Sequence, residues 1–113
     1  MRSRAELGLK YKDLMVLEHL VEAGADMTAP RHVIHYLYFR SQAEARAAGR
    51  TVEAQEFAVE VRSPDEGMTG WAVVCELHGC VLTNDAVRDN TDFFEALAES
   101  FHGDYDGWEA SVS

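Results

Sequence analysis

His32-Val33-Ile34-His35-Tyr36-Leu37-Tyr38-Phe39 is the stretch on which the fold turns. β-Branched and aromatic residues dominate it, and apolar groups stand at odd and even positions alike, so both faces of an extended chain are apolar. A strand of that kind belongs in the middle of a sheet. Pro30 separates it from a preceding helical pattern. There Leu14, Leu17, Leu20 and Val21 share one face, while Asp13, Glu18 and Glu22 lie opposite. The periodicity predicts a helix over Lys10 to Ala23, capped by Gly24. On the C-terminal side, Ser41 and Glu44 have capping-box spacing, which predicts a short helix over Ala43 to Ala48 closed by Gly49.

From Val52 to Arg62 the chain alternates, with Phe57, Val59 and Val61 on one side and Glu56, Glu60 and Arg62 on the other. Turn formers crowd Ser63 to Gly70, including Pro64 and Asp65-Glu66-Gly67, before Trp71 to His78 alternates again. These two segments read as a hairpin. Thr83 is placed to cap a last helix with Val87, Phe94, Leu97, Ala98 and Phe101 inward and Arg88, Asp89, Asp92, Glu95 and Glu99 outward. Gly103 is expected to end it, Asp106-Gly107 to turn, and Trp108 to Val112 to form an edge strand. The resulting order is an extra N-terminal helix followed by βαββαβ, an α+β, ferredoxin-like antiparallel sheet with its first and third strands central. One sheet face carries the helices, packed on Phe57, Val59, Val61, Trp71, Val73, Cys75 and Leu77. The other shows Glu56, Glu60, Arg62, Glu76, His78, Tyr36 and Tyr38, and the leading helix is available to cover part of it.

The length of 113 residues fits a single domain over residues 1–113, with residues 1–9 read as a flexible N-terminus. Its start lacks a signal-peptide pattern and no 18-residue apolar run occurs, which predicts a cytoplasmic protein with no membrane partner. Charge is uneven. Residues 1–50 hold 8 Arg/Lys against 6 Asp/Glu, whereas residues 51–113 hold 2 against 14, and the whole chain is at -10. An acidic second half repels phosphate backbones, so direct nucleic-acid binding is not expected and a basic protein partner is.

No site chemistry is legible. Phosphate loops, nucleophile elbows and a four-cysteine zinc pattern are all missing from the sequence. His32 and His35 are three residues apart on one strand, where side chains point to opposite faces, so no metal or other cofactor is expected from that pair even with His78 on a neighbouring strand. Cys75 falls on the core register and reads as an inert thiol. Tyr36 and Tyr38 imitate the stacking aromatics of RNA-recognition domains, but the basic motif those domains carry on the third strand is absent.

Leu97 to Trp108, which ends in Tyr105-Asp106-Gly107-Trp108, resembles the end of the last helix and the following turn of the RraB family, bacterial protein inhibitors of ribonuclease E. His35-Tyr36-Leu37, Phe57 to Val61 and Cys75-Glu76-Leu77 resemble that family's first three strands in the same order. The resemblance implies a non-catalytic regulator that binds the scaffolding part of an endoribonuclease and alters which transcripts are cut. An acidic surface suits a basic, disordered scaffold segment. Tyr105, Asp106, Gly107, Trp108, Glu95, Glu99, Glu60 and Glu76 are the candidate partner-binding residues. For the aromatic quartet two readings stay open: a helix-to-strand corner capping the core, or a docking site beside an edge strand. A general interaction module with another partner, and a small enzyme of the same fold, are the alternative functions.

Overall fold

The apolar stretch becomes β1, Arg31–Phe39, in the computed structural model, which describes residues 9–65 and 70–112. Its odd-numbered residues are buried and its even-numbered ones half-buried, which is the signature of a strand covered fully on one face only. Around it the order is α1 Tyr11–Glu22, β1, α2 Gln42–Glu53, β2 Ala58–Arg62, β3 Trp71–Cys80, α3 Asn84–Ser100 and β4 Asp104–Ala110. The fold is α+β, with an antiparallel four-stranded sheet in the order β2-β3-β1-β4 and β1 and β3 central. Glu66 and Gly67 of the expected β2–β3 turn, and all but Leu9 of the expected N-terminal tail, lie outside the described residues. Leu9 itself does not stand free, because it is buried beside Leu17, Leu20 and Val33.

Helix ends follow local chemistry. Ser41 caps α2 by accepting from the Glu44 N–H at 3.2 Å, and its hydroxyl donates to the Glu44 carboxylate at 3.0 Å. Thr83 caps α3 by accepting from the Ala86 N–H at 3.0 Å. At the end of α1 the Gly24 and Ala25 N–H groups bond back to the Val21 and Leu20 carbonyls, as the glycine signal predicts.

Four local expectations are corrected. α2 does not close at Gly49 but runs on to Glu53, because Gly49 is an inward packing position: a Cβ there would stand 3.2 Å from Val59. The second strand therefore starts only at Ala58, and Glu56 precedes it with φ 69°. At the end of α3 the left-handed residue is His102, φ 58°, while Gly103 donates to the Ala98 carbonyl at 2.8 Å and leaves room for the Phe39 ring. The turn expected at Asp106-Gly107 is instead the interior of β4, which starts at Asp104 and ends at Ala110.

α2 and α3 cover one sheet face around Leu37, Phe39, Val52, Val73, Cys75 and Phe94. α1 does not cross to the other face. Leu17 and Leu20 pack with Val33, Val87 and Trp108, whose side chains lie on the α3 side, so the leading helix extends the same layer over β4. The opposite face is left without a helix among the described residues. Across it Tyr38 pairs with Ala72 and Tyr36 with Val74, and the tyrosines shield these short side chains.

Candidate functional site: a buried polar knot beneath an acidic groove

Between β1 and β4 the register runs His35 opposite Trp108 and then Leu37 opposite Tyr105, two steps on one strand against three on the other. The extra residue is a β-bulge, and Gly107 within it has φ 93°, a conformation that disfavours any side chain. Residues three apart on a regular strand face opposite ways. The bulge resets the alternation, so Tyr105 and Trp108 both point into the helical layer.

What they meet there is polar. The Trp108 Nε1–H donates to one carboxyl oxygen of Asp13 at 2.8 Å, and the Thr91 hydroxyl donates to the other at 2.7 Å. Asp13, expected on the solvent side of α1, is 3% exposed, and Trp108 is 8% exposed. One carboxyl group thus ties α1 to α3 and β4. Beside it the Tyr105 hydroxyl lies 2.8 Å from Nδ1 of His35, whose ring stacks on Phe94 at 4.2 Å. Burial holds the His35 imidazole neutral, with its pKa pushed down to about 3. Burial also drives the Tyr105 phenol well above its ordinary value, helped by the nearby Asp13 and opposed by a hydrogen bond with Thr91. Neither group is poised to exchange protons near neutrality. Cys75 is likewise inert, its thiol pushed up to about 12 by burial.

Over this knot a groove of about 540 Å³ opens between the start of α1, α3 and β4, with Glu95, Glu99, Asp104, Tyr105 and Gly107 in its lining and Lys10 and Lys12 on its α1 side. Lys10 reaches across α3, 2.7 Å from Glu95 and 3.4 Å from Asp92, and those partners raise its pKa. Glu99, Asp104 and Asp106 have no ion pair among the described residues and stand in solvent.

The candidate residues fall into two groups. Glu95, Glu99, Tyr105 and Gly107 meet at the groove, and Asp106 is exposed in the bulge next to it. Glu60 and Glu76 lie on the uncovered sheet face instead, where Glu60 pairs with Arg62 at 3.0 Å and Glu76 with His32 at 3.3 Å. Trp108 is underneath, not on the surface. Sequence reasoning missed Asp13 and Thr91, whose solitary polar side chains carry no periodic signal. The usable clue was the indole N–H of Trp108, because a buried indole needs an acceptor.

No curated protein matches this chain. The family model described as regulator of ribonuclease activity B, RraB, matches residues 12–110. That span runs from the first turn of α1 to the last residue of β4 and takes in Asp13, His35, Thr91, Tyr105 and Trp108, and the chain belongs to the RraB family.

Proposed function

We propose that this protein is a non-catalytic inhibitor or modulator of an endoribonuclease of the ribonuclease E type, acting by binding a basic, disordered segment of it. Family membership supports a regulator of ribonuclease activity. The observation that carries the finer reading is the line of carboxylates Glu95, Glu99 and Asp104 around one groove, continued by Asp106. The pairing of Lys10 with Glu95 and Asp92 supports this reading as an internal example of a cation held by these carboxylates, and a partner's Lys or Arg would compete with Lys10 for the same oxygens. In this reading Glu95, Glu99 and Asp106 touch the partner, Tyr105, Gly107 and Trp108 hold the edge strand that presents them, and Glu60 and Glu76 offer a second acidic surface. A single domain over residues 1–113, built on the ferredoxin-like plan, is the frame we infer, supported by central β1 and β3 and the two βαβ helices on one face.

Transcript cleavage by the endoribonuclease tests this. Added protein is expected to slow or redirect cleavage while cutting nothing alone. A double charge reversal, Glu95→Lys with Glu99→Lys, should weaken that effect about tenfold, since each exposed pair contributes roughly 0 to 1 kcal/mol. Cleavage by the protein itself, or an enzyme indifferent to it, would contradict the proposal.

A further inference from the structure

The uncovered sheet face carries a second irregularity. β1 and β3 pair Ile34 with Glu76 and Val33 with Leu77, but then Arg31 with Cys80, so β3 holds one residue more than its partner. Gly79, φ 72°, stands in this bulge, next to His78. Bulges re-aim neighbouring side chains, and here the His78 ring lies flat on that of His32, centroids 4.1 Å apart and planes 5° from parallel. Glu76, two residues earlier on the same face of β3, reaches the His32 Nε2 at 3.3 Å. One donor atom from each of the three side chains lies within 4.8 Å of the others.

Two imidazoles and a carboxylate form a donor set suited to borderline divalent metals, zinc foremost, whereas calcium and magnesium favour oxygen alone. Ligand atoms bound tetrahedrally at about 2.0 to 2.1 Å from zinc stand roughly 3.4 Å apart, so the donor atoms must draw together and the two stacked rings must turn out of parallel to aim both lone pairs at one ion, a rearrangement of side chains alone. The side chains are half-buried or exposed and free to make it. Glu109, opposite Ile34 on β4, adds negative charge to the same end of the face. His35 points into the core, as the spacing argument requires, and takes no part; the pairing that matters runs between strands. Cys80 packs with the buried cluster under the sheet and is also outside the trio. We propose that His32, Glu76 and His78 form a binding site for one divalent transition-metal ion of the zinc type, leaving a coordination position open to water. This inference does not rest on the ribonuclease reading, although a bound ion would neutralise Glu76 and leave Glu60 to carry the second acidic surface.

The test is titration of zinc chloride into the chelator-treated full chain. One equivalent is expected to bind and to raise the melting temperature. In proton NMR of the wild type, the His32 and His78 ring signals should shift while those of His19, His35 and His102 stay. His78→Ala and Glu76→Gln should each weaken binding by at least about tenfold, since even outer-shell changes cost about 10- to 100-fold, and Cys80→Ser should leave it unchanged. Unshifted His32 and His78 signals at saturating zinc, wild-type affinity in both variants, or loss of binding in Cys80→Ser would each overturn the proposal. The wild-type spectra decide the matter even if a variant folds poorly.

Discussion

Asp13 shows how much one side chain can hold. Its two carboxyl oxygens accept from Trp108 and Thr91 in a buried setting, so Asp13→Ala strands an indole N–H and a hydroxyl. About 1 to 3 kcal/mol is lost for each buried group left unpaired, so for the two groups a chemical denaturation curve should show a fall of about 2 to 6 kcal/mol, while Asp13→Asn, which keeps an acceptor, falls less. Trp108→Ala should lower stability by about 3 to 5 kcal/mol through the cavity it leaves. A variant that melted near wild type yet failed to bind a partner would instead put Trp108 at the interface. His35 sets a pH dependence. Its folded-state pKa, about 3, is below the ordinary 6.5, so the unfolded chain takes up the proton first. The stability contributed by neutral His35 is therefore complete above about pH 6.5 and drains away as pH falls towards 3, by at most about 1.4 kcal/mol per pH unit. Melting curves of wild type and His35→Gln between pH 7 and pH 5 should diverge, the variant losing less on acidification.

At the scale of elements, the two bulges are what the edge and centre of the sheet depend on. A Cβ at Gly107 would meet nothing within 4 Å, so Gly107→Ala isolates the cost of φ 93° from any clash. That cost is about 1 to 2 kcal/mol. Gly103→Ala is the contrasting case, with a Cβ placed 2.3 Å from the Phe39 ring, and should be the more damaging of the two in the same melt. These glycines also mark where the sequence was legible and where it was not. Apolar period and capping residues placed all three helices and the central strand, because those signals are local. Asp-Gly is an equally local turn signal, but in β4 cross-strand pairing with β1 overrides it and the pair becomes a bulge. Gly49 read as a helix stop for the same reason, although its role is to let α2 approach Val59. The candidate site was half legible: exposed carboxylates follow from helix periodicity, whereas the Asp13 link to Trp108 spans 95 positions and leaves no trace in spacing.

Over the whole molecule, charge and layering divide the labour. Among the described residues the helices α1, α2 and α3 share one face of the sheet, the acidic groove opens among α1, α3 and β4, and no helix covers the other face. The count of 2 basic against 14 acidic residues beyond position 50 anticipated an acidic surface but not its division between groove and sheet face, which only the packing of α1 decides. No helix among the described residues is long and apolar enough to cross a membrane. If carboxylates at the groove seat a basic segment, attraction is mainly electrostatic and is screened over about 10 Å at 0.1 M salt. The direct measurement is calorimetric titration of the proposed partner, a basic scaffold segment of an endoribonuclease, into the full chain at about 0.05 M and about 0.5 M salt. Binding that weakens about tenfold or more at the higher salt is the predicted result; no binding at low salt, or an affinity indifferent to salt, would contradict it.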